Sequence, residues 1–112
     1  MIDVVKLKWN EFSEIENEVA IDTASGAYVP MGADHKMLIL ITNDGSESAN
    51  ATVKAGTGIQ ATEDVTVSVA ANKTAAISVE SGKFLIVEGD NAGSVLVTAS
   101  SSNLKVKAIE LP

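Results

Sequence analysis

The residues closest to a catalytic pair are Asp34 and His35, and His35 is the one histidine of the chain. An Asp–His pair activates a serine only when the fold places the hydroxyl beside the imidazole, and the Gly-x-Ser-x-Gly turn that often presents such a serine is absent. A metalloenzyme of the cupin type would need several histidines as ligands. We therefore expect His35 to be a partly exposed loop residue, and we predict no catalytic residue and no enzymatic activity.

Three carboxylates, Glu14, Glu16 and Glu18, alternate along the chain. In an extended segment they would share one face and could hold a hard cation or supply an acid–base pair. Like charges at this spacing repel each other, however, and no segment has the ligand spacing of a calcium-binding loop. The sequence predicts no metal site.

The glycine-rich stretch at residues 56–60 reads Gly-Thr-Gly-Ile-Gln. It lacks the Gly-Lys-Ser/Thr ending of a phosphate-binding loop, and a β pattern follows it where a helix N-terminus would be needed to receive a phosphate. We therefore predict no nucleotide and no other cofactor.

The charge of the chain is acidic and uneven. Fifteen acidic residues face eight lysines and no arginine, and residues 1–35 carry seven of the acids with only two of the lysines. We expect no nucleic-acid partner, because phosphate and base recognition needs a positive surface. No apolar run reaches the 18 or so residues of a membrane span, and no signal peptide is recognisable, so we expect no membrane partner and synthesis in a cytoplasm.

Trp9 and Phe12 are two of only four aromatic residues and lie in the most acidic stretch. Aromatic side chains are enriched among interface anchors, which makes these two the candidates for contact with a protein partner or a sister subunit. The alternative is that they cap the core of a small domain.

Short apolar runs separated by Gly, Asn, Asp and Ser clusters recur from Lys36 onward, a pattern typical of a β-sandwich. Residues 37–41 are apolar on both alternating faces and predict a central strand covered on both sides. Residues 43–46 predict a tight connection with positive φ. Residues 65–69 and 75–79 predict the two strands of a β-hairpin, and residues 84–87 and 104–109 predict further strands. We predict one all-β domain, an antiparallel sandwich of seven to nine strands with an Ig-like or jelly-roll-like topology.

The first 33 residues are interpreted as an N-terminal strand and loop segment, with a possible role as an arm, and residues 34–112 as the sandwich core. Val5, Leu7 and Trp9 alternate with lysines and predict a strand, as do Val19 and Ile21. Between them the spacing of apolar residues fits one helical turn or a loop equally well.

Several short words resemble a recurring kind of phage structural protein: Asp34 to Asn43, Ala51 to Gln60 with its Thr-Val-Lys-Ala-Gly, Val67 to Thr74 with Ala-Ala-Asn-Lys-Thr, and Glu80 to Phe84. The resemblance covers residues 34–112 and leaves residues 1–33 outside. It implies a non-enzymatic β-sandwich of the virion, made in the host cytoplasm, that decorates or stabilises the capsid by protein–protein contacts as a homo-oligomer, with a trimer as one such state. The alternative is an Ig-like or carbohydrate-binding module of a larger surface or tail protein.

Overall fold

Alternating buried and exposed side chains organise nearly all of the regular structure into strands. The computed structural model describes residues 2–14, 18–32, 36–58 and 63–112. Within these ranges lie nine strands and one helical turn: β1 (Val4–Lys6), β2 (Val19–Ala20), β3 (Ala27–Pro30), β4 (Met37–Asn43), β5 (Ala49–Val53), β6 (Val65–Val69), β7 (Thr74–Ile77), α1 (Ser81–Phe84), β8 (Ser94–Ala99) and β9 (Leu104–Glu110).

The strands form two packed sheets, which confirms the all-β sandwich. One sheet has the order β1-β9-β4-β7, with β2 also paired to β9, and the other has the order β3-β8-β5-β6. Val4 lies opposite Ala108 and Val19 opposite Val106, so β1 and β2 occupy successive parts of the same edge of β9. The β1–β9 pair is parallel, whereas the other strand pairs of the described chain are antiparallel.

The antiparallel pairs are nested. Strand β5 pairs with β6, β4 with β7, β3 with β8 and β2 with β9. In sequence, each pair encloses the one before it, and successive pairs lie alternately in the two sheets. Eight strands wound in this way form a jelly roll. Of the two predicted topologies, the jelly-roll-like one therefore matches the strand order.

The core lies between the sheets and consists mainly of aliphatic side chains. In β4, Met37, Ile39 and Ile41 are buried against the opposite sheet, while Leu38 and Leu40 are half-buried on the outer face. The strand is central, as predicted, because it lies between β9 and β7. The prediction that both of its faces are covered is wrong.

The predicted hairpin of residues 65–69 and 75–79 is also wrong. Strand β6 pairs with β5 in one sheet and β7 with β4 in the other, so the turn between β6 and β7 crosses from sheet to sheet. Asn72 enables this crossing with a φ of 59°, and its N–H donates to the carbonyl of Asn43 at 2.9 Å. Alternation identifies the inward face of a strand but does not identify its partner.

Two further local predictions differ from the structure. Residues 43–46 connect β4 to β5 across the two sheets, and none of these four residues has a positive φ. The run at residues 84–87 is no strand, because Phe84 ends the helical turn α1 and is 6 % exposed. Short apolar runs do not distinguish a strand from a buried helical turn.

The described part of the first 33 residues contributes three strands and several core side chains, among them Ile2, Ile21 and Val29. Strand β1 ends at Lys6, so the predicted strand through Trp9 is too long. Residues 11–14 have no regular structure, and residues 15–17, where a helical turn was considered, lie outside the described ranges. The boundary drawn between residues 33 and 34 also falls outside them.

Candidate protein-interaction site

Residues 7–14 form an exposed loop that follows β1, called here the aromatic loop. The Leu7 N–H donates to the Glu110 carbonyl at 2.8 Å, which is the last backbone bond of this segment to the sheet edge. The chain then turns, with a Glu11 N–H to Lys8 carbonyl bond of 3.3 Å and a φ of 63° at Asn10. Asparagine tolerates this left-handed conformation better than most residues, so the sequence favours the turn.

Both aromatic side chains of the loop project into solvent. Trp9 is 77 % exposed and Phe12 is 107 % exposed, that is, fully exposed. The alternative that these residues cap the core is therefore wrong. Each ring could bury roughly 150–250 Å² against a partner. Two such side chains lie within four residues of each other in this loop, whereas single exposed apolar residues are common on proteins.

Two of the three carboxylates considered as cation ligands, Glu14 and Glu18, lie within the described residues. Glu14 is exposed, whereas Glu18 is half-buried and lies 3.6 Å from the ammonium of Lys107. Glu16 lies outside the described residues. No cluster of three or more potential metal ligands occurs within the described part of the chain.

The shifted pKa values belong to groups that stabilise turns. The pKa of Asp22 is lowered because the N–H groups of Ala24 and Ser25 donate to its carboxylate at 2.8 and 3.1 Å. The pKa of Asp64 is lowered by the N–H of Ala55 and then by the ammonium of Lys54.

The third group with a shifted pKa is a lysine that contacts an opposite charge. The pKa of Lys105 is raised by the carboxylate of Asp44, which lies 2.7 Å from its ammonium. Each of the three groups therefore holds a backbone N–H or an opposite charge.

A second surface feature is an open groove at the opposite edge of the sandwich, between β6, β7 and α1. Its volume is about 660 Å³. The buried side chains of Val79 and Phe84 lie at its floor, and the exposed Val65 and half-buried Ile77 lie beside them. Ser78 and three charged residues, Glu63, Glu80 and Lys83, complete the lining. The alternation of apolar and polar residues did not predict this groove. It assigns Val65 and Ile77 to inward faces, but it does not show that β6 and β7 are edge strands of the two sheets.

The other candidate residues are the Asp–His pair and the glycine-rich stretch at residues 56–60. Asp34, His35, Ile59 and Gln60 lie outside the described residues. The amides of Gly56 and Thr57 are already used, since they donate to the carbonyls of Lys83 and Leu85 at 2.9 and 3.2 Å. A side chain at Gly56 would collide with the backbone of Phe84 and Leu85, so this glycine permits close packing of two backbones.

No helix within the described ranges is long and apolar enough to cross a membrane. Comparison of the chain with protein-family models, with curated proteins and with solved structures found no match.

Proposed function

We propose that the protein is a non-enzymatic structural protein of a phage virion, which decorates or stabilises the capsid through protein–protein contacts. The observation that carries this proposal is the aromatic loop, where Trp9 and Phe12 are both exposed on a turn fixed to a sheet edge. A rigid scaffold that presents aromatic anchors is suited to binding a protein surface. Many copies on one particle would add avidity to a modest affinity for each contact.

Two further observations support this assignment. Short sequence segments within residues 34–112 resemble phage structural proteins. The fold is a β-sandwich, which is the fold that this resemblance implies. A carbohydrate-binding module, by contrast, would be expected to expose aromatic rings inside a ligand groove, whereas the exposed rings of Trp9 and Phe12 lie on a loop outside the groove. Phe84, the aromatic residue that lines the groove, is buried at its floor.

Co-sedimentation with capsid shells tests the proposal. We expect the coding sequence to lie beside capsid or portal genes, and shells assembled from that capsid protein should retain the wild-type chain in the pellet. Val87→Ala, which alters an exposed valine outside both the aromatic loop and the groove, should bind equally well. A wild-type chain that stays in the supernatant at every shell concentration would refute the proposal.

A further inference from the structure

Asp44 and Gly45 form the one Asp-Gly dipeptide of the sequence, which contains no Asn-Gly dipeptide. The backbone nitrogen that follows an aspartate can attack the side-chain carbon of that aspartate, and glycine hinders the attack least because it has no Cβ. We propose that Asp44 is a modification site at which aspartate rearranges to isoaspartate, and that contacts with Asn43 and Lys105 suppress the reaction in the folded chain. This inference is independent of the proposed function.

The rearrangement has two steps, and water is its only co-reactant. In the first step the Gly45 nitrogen forms a bond to Cγ of the neutral Asp44 carboxyl group. One C–O bond of that group breaks, and its hydroxyl leaves with the amide proton as water, so that a five-membered succinimide ring remains. In the second step water adds to a ring carbonyl. Cleavage between the nitrogen and Cγ restores aspartate, whereas cleavage between the nitrogen and the main-chain carbonyl carbon of Asp44 gives isoaspartate.

The attacking nitrogen is engaged in the folded chain. The Gly45 N–H donates to the side-chain oxygen of Asn43 at 2.8 Å. That oxygen is held in place, because the amide nitrogen of the same side chain donates to the carbonyls of Glu47 and Val69 at 2.8 and 2.9 Å. The Gly45 nitrogen must lose its proton to attack Cγ, so its bond to Asn43 must open before the ring can close.

The carboxyl group under attack is also restrained. The Lys105 ammonium lies 2.7 Å from the Asp44 carboxylate, and ring closure removes the negative charge that makes this contact. The Asp44 N–H donates to the Asn103 carbonyl at 3.1 Å, and a Cβ added at Gly45 would lie 2.7 Å from the Asn103 side-chain nitrogen. Asp44 is nevertheless exposed, so water can reach the succinimide. The dipeptide is therefore reactive by sequence and restrained by its contacts.

The product should weaken the connection between β4 and β5. Isoaspartate places the Cβ of residue 44 in the main chain, so the backbone between residues 44 and 45 becomes longer by one atom. The Gly45 N–H then no longer has the position from which it donates to Asn43. We expect chains that contain isoaspartate to unfold at a lower denaturant concentration than unmodified chains.

Peptide mapping of protein aged at neutral pH tests the proposal, with electron-transfer fragmentation to distinguish isoaspartate from aspartate. The wild-type chain should accumulate isoaspartate at Asp44 faster in denaturant than in its folded state. Asn43→Ala removes the acceptor of the Gly45 N–H and should raise the rate in the folded chain by about threefold to tenfold, the factor that corresponds to one hydrogen bond.

Two lysine variants test the second restraint. Lys105→Ala removes the ammonium beside Asp44 and should raise the rate by about twofold, since both groups of the pair are partly exposed. Lys107→Ala is the matched control. Its ammonium lies 3.6 Å from Glu18 instead, and the variant should keep the wild-type rate.

Val29→Ala separates local opening from a general loss of stability, which Asn43→Ala also causes. Val29 is 0 % exposed in β3, so this variant lowers stability while the Gly45 N–H keeps its acceptor, and it should react at the wild-type rate. Equal acceleration by Asn43→Ala and Val29→Ala would overturn the inference. So would equal rates for the folded and the denatured wild-type chain, or an aged denatured chain without isoaspartate at Asp44.

Discussion

Like Ser94, Asn43 is a polar residue that is fully buried. It is 0 % exposed, its amide nitrogen donates to the carbonyls of Glu47 and Val69 at 2.8 and 2.9 Å, and its side-chain oxygen accepts the Gly45 N–H at 2.8 Å. Its backbone also bonds to Lys73 and Asn72. Asn43 therefore stabilises both connections that pass from one sheet to the other, the β4–β5 connection and the β6–β7 connection.

Asn43→Ala should destabilise the protein by on the order of 3 kcal/mol, because the Gly45 N–H and the Val69 carbonyl lose a bonding partner in a buried place. Chemical denaturation followed by circular dichroism measures this loss. Asn50→Ala, on the exposed side of β5, is the matched control and should change the free energy of unfolding by less than about 0.5 kcal/mol. Equal losses at the two positions would contradict the assigned role of Asn43.

Asp22 gives a prediction about pH. Its pKa is lowered in the folded state, so its contribution to stability is present above the unfolded-state pKa of about 3.9 and is lost as the pH falls through the folded-state pKa. Asp22→Asn keeps a side-chain oxygen for the Ala24 and Ser25 N–H groups but loses the charge. The stability difference between wild type and variant should be largest near neutral pH and should shrink below about pH 4.

Denaturant midpoints measured from pH 7 down to pH 3 test this expectation. Glu88→Gln is the control, since it removes a carboxylate from an exposed loop position. A difference for Asp22→Asn that stays constant over this range would contradict the proposed charge effect.

Residue types alone left the location of the aromatic side chains open. The sequence allows Trp9 and Phe12 both at an interface and as a cap on the core, because both places favour large rings. The turn at residues 8–11, with its left-handed Asn10, decides the question, since it carries both rings away from the sheet edge. No short-range pattern reports that outcome.

At the scale of elements, alternation predicted strand faces well. In β9, Leu104, Val106 and Ala108 are buried while Lys105 and Lys107 are half-buried on the outer face, as expected. Pairing partners were not predictable in the same way. The segments β6 and β7 are close in sequence, and the turn between them could equally close a hairpin or cross to the other sheet. Long-range bonds from Asn43 select the crossing.

Gly56 belongs to the contact between the end of β5 and α1. Gly56→Ala would press a methyl group against the backbone of Phe84 and Leu85, and backbone cannot yield as a flexible side chain does. We expect a loss of about 1–3 kcal/mol. Gly58→Ala is the matched control, because the nearest atom to its new methyl group would be the Gly82 carbonyl oxygen at 3.5 Å, an ordinary contact.

Thermal unfolding of both glycine variants compares them directly. A Gly58→Ala variant at least as destabilised as Gly56→Ala would mean that close packing against α1 is not what Gly56 provides.

At the scale of the whole molecule, the nested pairing ties the N-terminal strands to the C-terminal ones. Strand β2 pairs with β9, and β3 pairs with β8, so the partners of these strands are distant in sequence. Composition and turn spacing predicted a sandwich because they report local structure. They could not choose between two sandwich topologies, since these differ in which distant strands pair.

The place of residues 1–14 in this architecture can be tested by deletion. The eight strands of the jelly roll, β2 to β9, all lie beyond these residues, and β1 covers only three residues at the edge of β9. The deletion also removes Ile2, which is 5 % exposed and donates its N–H to the Tyr28 carbonyl at 3.1 Å. We therefore expect the shortened chain to keep its β spectrum and its cooperative unfolding, with a loss of about 2–5 kcal/mol.

Deletion of residues 1–22 should instead abolish cooperative folding, because it also removes β2 and Ile21, which is 0 % exposed in the core. Circular dichroism and denaturant titration of both chains make the comparison. If the chain lacking residues 1–14 unfolded without a cooperative transition, β1 would be an essential part of the sandwich, and the eight nested strands could not fold as a unit without it.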